Sequence, residues 1–271
     1  MPELPEVETT RRGIEPYIEG RVIQALRVRE RRLRWPIEEE LDRLLPGQTV
    51  QVVGRRGKYL LLILDAGTLI IHLGMSGSLR LVPEDTPPGP HDHVDLVFEN
   101  GLCLRLRDPR RFGALLWTTD DPQQHPRLAA IGPEPLSEAF TGKYLHQRSR
   151  NRRVAVKTLL MDSRVVAGIG NIYANESLFM AGIRPGNAAG RLTHADCDRL
   201  VRAVKRVLVS AIEQGGTTLR DFRREDGRPG YFQQRLRVYG RAGESCATCG
   251  GPIRSRVIAQ RASYYCPHCQ A

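Results

Sequence analysis

Long apolar runs are missing from this 271-residue chain. The longest strongly apolar stretch, Tyr59 to Leu64, is far too short to span a bilayer. No apolar segment follows the N-terminus, where three glutamates fall within the first eight residues, so no signal peptide is expected. The chain also has no internal repeats and no long low-complexity tract, which argues against a repeat array. Acid is the next shortage: 30 Asp and Glu face 41 Lys and Arg, a formal charge of +11. From Lys143 to Asn171, Asp162 is the sole acid among Lys143, Arg148, Arg150, Arg152, Arg153, Lys157 and Arg164, and no Asp or Glu follows Cys246. Such clustering favours a polyanionic partner, nucleic acid first, over a merely well-solvated surface. A soluble, cytoplasmic protein with no membrane partner is expected. Nothing suggests an obligate oligomer, so a monomer is expected too.

What is present divides the chain. Pro5 suits the first turn of a helix, with Glu6 and Glu8 facing its positive end and Gly13 near its close, so that Pro2 protrudes just before the helix. Short β-rich runs follow over residues 21–28, 49–56, 59–64, 68–73, 76–82, 94–99, 102–106 and 113–118, punctuated by Gly54, Gly57, Gly67, Asn100-Gly101 and Pro87-Pro88-Gly89-Pro90. That spacing predicts an all-β sandwich or barrel. Beyond a proline-containing connector the pattern turns helical over 154–161, 171–180 and 193–214. In the last of these, Thr193 can cap a stripe of Leu200, Val201, Val204, Val207, Leu208, Ala211 and Ile212. The expected class is α+β and multidomain, divided as 1–125, 126–225 and 226–271.

Four motifs carry chemistry. Methionine before proline is normally trimmed, which leaves Pro2 as a secondary terminal amine with a pKa of about 7.7–8.0, roughly a third neutral at pH 7.5 where lysine is almost wholly protonated. Glu3 supplies an adjacent acid or base. Cys246 and Cys249, then Cys266 and Cys269, have the paired-knuckle spacing of a tetrahedral structural zinc, leaving Cys103 and Cys197 as buried thiols and His268 facing solvent. Gly168-Ile169-Gly170 before Asn171 places amides and a helix dipole where an anion would bind. Met75, Arg110 and Phe112 could form a wedge inserted between base steps, although on spacing alone Met75 and Phe112 read as core residues. Lys58 on spacing alone reads as an exposed turn lysine. His91-Asp92-His93 lacks a third spaced metal ligand and reads as a DNA-contacting or ordinary loop.

Pro2-Glu3-Leu4-Pro5-Glu6-Val7-Glu8, Gly57-Lys58-Tyr59, His72-Leu73-Gly74-Met75-Ser76-Gly77, His91-Asp92-His93-Val94-Asp95, Asp108-Pro109-Arg110-Arg111-Phe112-Gly113, Gly170-Asn171-Ile172-Tyr173 and the four-cysteine finger together resemble bacterial formamidopyrimidine-DNA glycosylase, in order and over the whole chain. The resemblance implies an N-terminal β-sandwich with an N-terminal helix, a helix-two-turn-helix domain and a zinc finger. It also implies excision of oxidised purines from duplex DNA, followed by strand cleavage. Carried over residue by residue, Pro2 is the Schiff-base nucleophile, Glu3 the proton donor and Glu6 its support. Lys58 and Arg261 assist the eliminations. His91, Arg110, Arg152 and Asn171 contact DNA, while Met75, Arg110 and Phe112 fill the gap left by an extruded nucleotide. Apart from the resemblance, the basic run also makes Lys157 a candidate DNA contact. Residues 217–231 correspond to a mobile base-binding loop. An endonuclease VIII-like enzyme shares the proline, lysine and finger, but Leu4, Met75 and the Arg110 to Phe112 pattern argue against it. A non-catalytic zinc-ribbon protein is disfavoured by Pro2, Glu3 and Lys58.

Overall fold

The computed structural model describes residues 2–215 and 236–271. They fall into two compact units, residues 2–129 with 214–215 and residues 130–213 with 236–271.

The first unit opens with α1 (Leu4–Ile18), entered through a capping box in which Glu3 and Glu6 satisfy each other's backbone N–H groups. The helix runs past Gly13, where it was expected to close, and past Pro16. Leu4, Val7, Ile14 and Ile18 make one buried stripe, and burying Ile14 and Ile18 outweighs the N–H that Pro16 lacks. Next come β1 (Ile23–Val28), the single turn α2 (Leu41–Leu44), β2 (Val50–Arg56), β3 (Tyr59–Leu64) and β4 (Gly67–His72). Then follow β5 (Ser78–Pro83), β6 (Asp92–Phe98), β7 (Leu102–Arg107) and β8 (Ala114–Thr118). All eight expected strands are present, with ends shifted by a residue or two. They pair antiparallel in two four-stranded sheets, ordered β1-β6-β7-β5 and β2-β3-β4-β8. Leu60, Leu62, Leu69 and Ile71 from one sheet meet Ile23, Leu96, Phe98 and Leu104 from the other in a core that also takes in α1. Each such side chain contributes roughly 1.5–3 kcal/mol when fully buried.

The second unit holds α3 (Gly142–Ser149), α4 (Val156–Met161), α5 (Asn171–Ala181) and α6 (His194–Glu213), then the hairpin β9 (Arg254–Ile258) and β10 (Arg261–Tyr265). Sequence patterning missed α3, whose start is set by the Thr141 hydroxyl accepting the Tyr144 N–H rather than by an apolar stripe. The Thr193 cap of α6 is present: its hydroxyl accepts the Asp196 N–H at 3.1 Å, and the Asp196 carboxylate accepts the Thr193 N–H at 2.9 Å. Helix α5 is buried on nearly every side and ends at Gly182, whose φ of 70° only glycine adopts freely. Among the described residues, no helix is long and apolar enough to cross a membrane.

Candidate active site and nucleic-acid interface

At the N-terminus the chain is drawn into α1 rather than left protruding. Pro2 is buried, Glu3 and Glu6 are 2 % and 0 % exposed, and the Glu3 N–H donates to Glu6 Oε2 at 2.8 Å. With Met1 in place the Pro2 nitrogen is an amide, and a free secondary amine there requires removal of Met1. One arginine ties this helix to the turn that carries Lys58. Arg55 donates to Glu8 Oε2 at 3.0 Å and to the Gly57 carbonyl at 2.9 Å. Gly57, at φ 56°, takes the first position of the two-residue turn between β2 and β3, and half-buried Lys58 takes the second. Burial would raise the Glu8 carboxyl, but the guanidiniums of Arg11, Arg12 and Arg55 hold it below its ordinary value.

The turns that carry Met75 and Phe112, distant in sequence, meet through the backbones of Gly74 and Phe112. A Cβ on Gly74, itself at φ 65°, would lie 2.4 Å from the Phe112 carbonyl carbon, so only glycine lets the Met75 turn sit against the Phe112 loop. Asp108 organises that loop: its carboxylate accepts the Gly113 N–H at 2.7 Å, and its own N–H donates to the His91 carbonyl at 3.0 Å. His91, exposed and at φ 71°, is thereby joined to the same loop. Phe112 is 44 % exposed, which removes the core reading for it, and the Arg110 guanidinium lies over its ring at 4.8 Å. Arg111 instead pairs with Glu30 at 3.2 Å. His72 accepts the Gly74 N–H on Nδ1 at 3.0 Å. Desolvation, with Lys58 and Arg34 nearby, pushes its pKa down to about 4, so it is neutral near pH 7 and carries its proton on Nε2.

In the second unit a basic cleft of about 410 Å³ is lined by Arg152, Lys157, Arg164 and Arg261, with Asp162 the acid among them. Lys157 itself is 1 % exposed, and its ammonium donates to the Ala262 carbonyl at 2.8 Å and to Ser263 Oγ at 2.7 Å. The Asn171 amide donates to that same carbonyl at 3.1 Å from the first residue of α5. Lys157 and Asn171 thus hold the strand on which exposed Arg261 stands. Sequence reasoning passed over two further anchors on α5. Asn175 accepts the Tyr264 N–H at 2.7 Å. The buried Glu176 carboxylate accepts the N–H groups of Arg237, Val238 and Tyr239 at 2.9, 3.0 and 2.9 Å. Both read in sequence as ordinary helix residues, since their partners lie more than sixty positions away. Arg55 and Asp108 were likewise not singled out, although Asp108 stands inside a quoted motif.

The thiols of Cys246, Cys249, Cys266 and Cys269 all lie within 4.8 Å of one another, with pairs at 3.9 and 3.4 Å. A tetrahedral zinc with bonds of about 2.3 Å needs edges of about 3.8 Å, so this all-sulfur donor set fits one structural zinc. His268 is exposed, and Cys103 and Cys197 are buried, their thiols pushed up by burial to about 12 and about 11. Residues 217–231, the expected base-binding loop, lie outside the described residues.

Comparison with known proteins matches the whole chain. Residues 1–115 match the formamidopyrimidine-DNA glycosylase N-terminal domain, 131–223 the H2TH domain of the same enzyme, and 243–271 the zinc finger found in FPG and IleRS. The formamidopyrimidine-DNA glycosylase of Methylococcus capsulatus is 61 % identical over 270 residues, covering 100 % of both chains, and that of Thioalkalivibrio sulfidiphilus is 58 % identical with the same coverage. Among solved structures, the MutM (Fpg) protein of Thermus thermophilus superposes with a TM-score of 0.89 at 42 % identity, covering 99 % of this chain and 98 % of that one. Lactococcus lactis Fpg bound to DNA containing an abasic site gives 0.92 at 35 % identity, covering 99 % of each. The chain belongs to the formamidopyrimidine-DNA glycosylase family.

Proposed function

We propose that this protein is a bifunctional DNA glycosylase and abasic-site lyase that removes oxidised purines, 8-oxoguanine and ring-opened formamidopyrimidines, from duplex DNA. The observation that carries this reading is the N-terminal arrangement: a proline that becomes a secondary amine on loss of Met1, directly followed by a buried glutamate whose backbone is fixed by Glu6.

The chemistry follows from those groups. The Pro2 nitrogen attacks C1′ as the bond from C1′ to the base breaks, and the proton that the amine gives up leaves with the departing base. Glu3 protonates the sugar ring oxygen, the ring opens, and a positively charged iminium joins Pro2 to C1′. That charge acidifies the C2′ proton, whose loss expels the 3′ phosphate; a second elimination expels the 5′ phosphate. Lys58, on the turn tied by Arg55 to α1, moves protons in these steps, and Arg261 contacts phosphate and assists the second. Met75, Arg110 and Phe112 occupy the gap left by the extruded nucleotide, with Arg110 chosen over Arg111 because Arg111 is engaged by Glu30. His91, Arg152 and Asn171 contact the DNA backbone. Lys157, proposed from its place in the basic run, serves that contact through the finger strand it holds. Zinc bound by the four cysteines supplies structure only: it fixes the hairpin that presents Arg261.

Residues 1–125 would form the catalytic domain, 126–225 the helix-two-turn-helix domain and 226–271 the finger region of a monomeric enzyme, cytoplasmic and nucleoid-associated through its DNA. The test compares strand cleavage of duplexes carrying 8-oxoguanine opposite cytosine with duplexes carrying thymine glycol. Preferential cleavage of the 8-oxoguanine duplex is expected; preference for thymine glycol would overturn the purine reading.

A further inference from the structure

Outside the residues assigned above, two arginines share one aromatic ring. The guanidinium carbon of Arg127 lies 4.1 Å from the ring centroid of Trp35, and that of Arg34 lies 4.7 Å from it. Both arginines are exposed, and among the described residues neither has a carboxylate within ion-pair distance. By contrast, Arg31, Arg32 and Arg111 are matched to Asp42, Glu30 and Glu30. Two cations drawn to one ring repel each other, and stacking on an indole returns only about 0.5–1 kcal/mol per guanidinium at an exposed site. The arrangement fixes both planar groups while leaving their N–H donors to solvent. That is the state in which a guanidinium best receives a phosphate, by paired hydrogen bonds with little rotamer freedom left to lose.

Its position adds direction. The backbone N–H of Arg34 donates to the Gly113 carbonyl at 3.1 Å, immediately after Phe112, so Arg34 stands beside the loop that carries Phe112. Both charges also reach the phenol of Tyr59, the neighbour of Lys58: burial raises that phenol's pKa, and Arg34 and Arg127 pull it back. We infer that Arg34 and Arg127, held on Trp35, form an additional phosphodiester-binding site on the catalytic half, gripping the DNA backbone next to the wedge. This rests on the DNA-binding reading above, and the experiment separates the two.

Binding of the full-length protein to a duplex carrying a tetrahydrofuran abasic analogue is followed by fluorescence anisotropy across a series of KCl concentrations. Wild type is compared with Arg127→Gln, Arg34→Gln and the double variant, and thermal unfolding is recorded for each. Each phosphate contact contributes about 0.9 to the slope of log K against log salt. The slope should therefore become shallower by about 0.9 in each single variant and by about 1.8 in the double variant, with affinity lost most at low salt. A steep wild-type slope that none of the variants alters would overturn the site alone, and lowered melting temperatures with that unchanged slope would assign the arginines to packing on Trp35. A wild-type slope near zero would overturn phosphate-dominated DNA binding itself, and this site with it.

Discussion

The Glu6 carboxylate accepts the backbone N–H of Glu3 at 2.8 Å, inside a helix start where both side chains are almost completely buried. That bond fixes the residue next to the proposed nucleophile, so its loss should register in chemistry more than in stability. Replacing Glu6 by Ala removes half of a capping box, which costs about 1 kcal/mol of folding free energy. The single-turnover rate of covalent trapping should fall at least tenfold, with Glu6→Gln, which keeps an acceptor, falling less. Urea unfolding and quench-flow trapping on the same preparations check both parts. A trapping rate equal to wild type in Glu6→Ala would remove Glu6 from the site.

Phe112 is nearly half exposed, and Gly74 is what lets the Met75 turn sit against its loop. Phe112→Ala should cost less stability than the roughly 3–5 kcal/mol of a core Phe→Ala while impairing excision from duplex DNA, because the ring is only partly buried and the proposed wedge is lost with it. Gly74→Ala should behave differently. Its Cβ would press on the Phe112 carbonyl at a left-handed φ, and a stability loss of roughly 1–3 kcal/mol is expected. Denaturant melts of the two variants, beside duplex excision assays, distinguish the roles.

Stability should depend on pH through His72. Its folded pKa of about 4 lies below the usual value near 6.5, so the unfolded chain binds a proton between those pH values and the folded chain does not. The contribution of neutral His72 is fully present above about pH 6.5 and is lost as pH falls toward 4, a change on the order of 3 kcal/mol. Urea unfolding of wild type and His72→Gln at pH 7 and pH 5 should show a smaller decrease for the variant. An equal decrease in both would assign the pH dependence to other groups.

Lys157 and Glu176 hold the finger from α4 and α5, and zinc holds it from within. Lys157→Met leaves the Ala262 carbonyl and Ser263 hydroxyl without their ammonium donor; it should weaken DNA binding although Lys157 is itself buried. Chelating the zinc should unfold the hairpin and abolish DNA binding together with strand cleavage, since Arg261 loses its support. Tyrosine fluorescence of the finger, where Tyr239 and Tyr264 rings lie 5.2 Å apart, reports the unfolding, and anisotropy reports the binding.

Sequence alone made much of this legible, for physical reasons that can be located. The eight strands of the sandwich alternate or run apolar between glycine-bearing turns, and Thr193 with Asp196 marks the start of α6 in the sequence itself. The close of α1 was not legible, because Gly13 and Pro16 speak against a helix that burial of Ile14 and Ile18 maintains. The short helix α3 escaped because a single threonine cap and no apolar stripe defines it. In the site, residues of short motifs could be identified before their geometry was known. Choices set by distant partners could not: Arg111 is taken by Glu30 from 81 positions away, and Lys157 is drawn inward by Ala262 from 105.

The central claim concerns one nitrogen atom. Enzyme with Met1 removed, confirmed by intact mass, is mixed with an 8-oxoguanine duplex and borohydride, and the covalent product is digested and mapped by mass spectrometry. The expected result is a DNA adduct on Pro2, absent from protein whose N-terminus is blocked. No adduct from the processed enzyme, or an adduct mapped to a lysine such as Lys58 and undiminished by the block, would contradict the assignment.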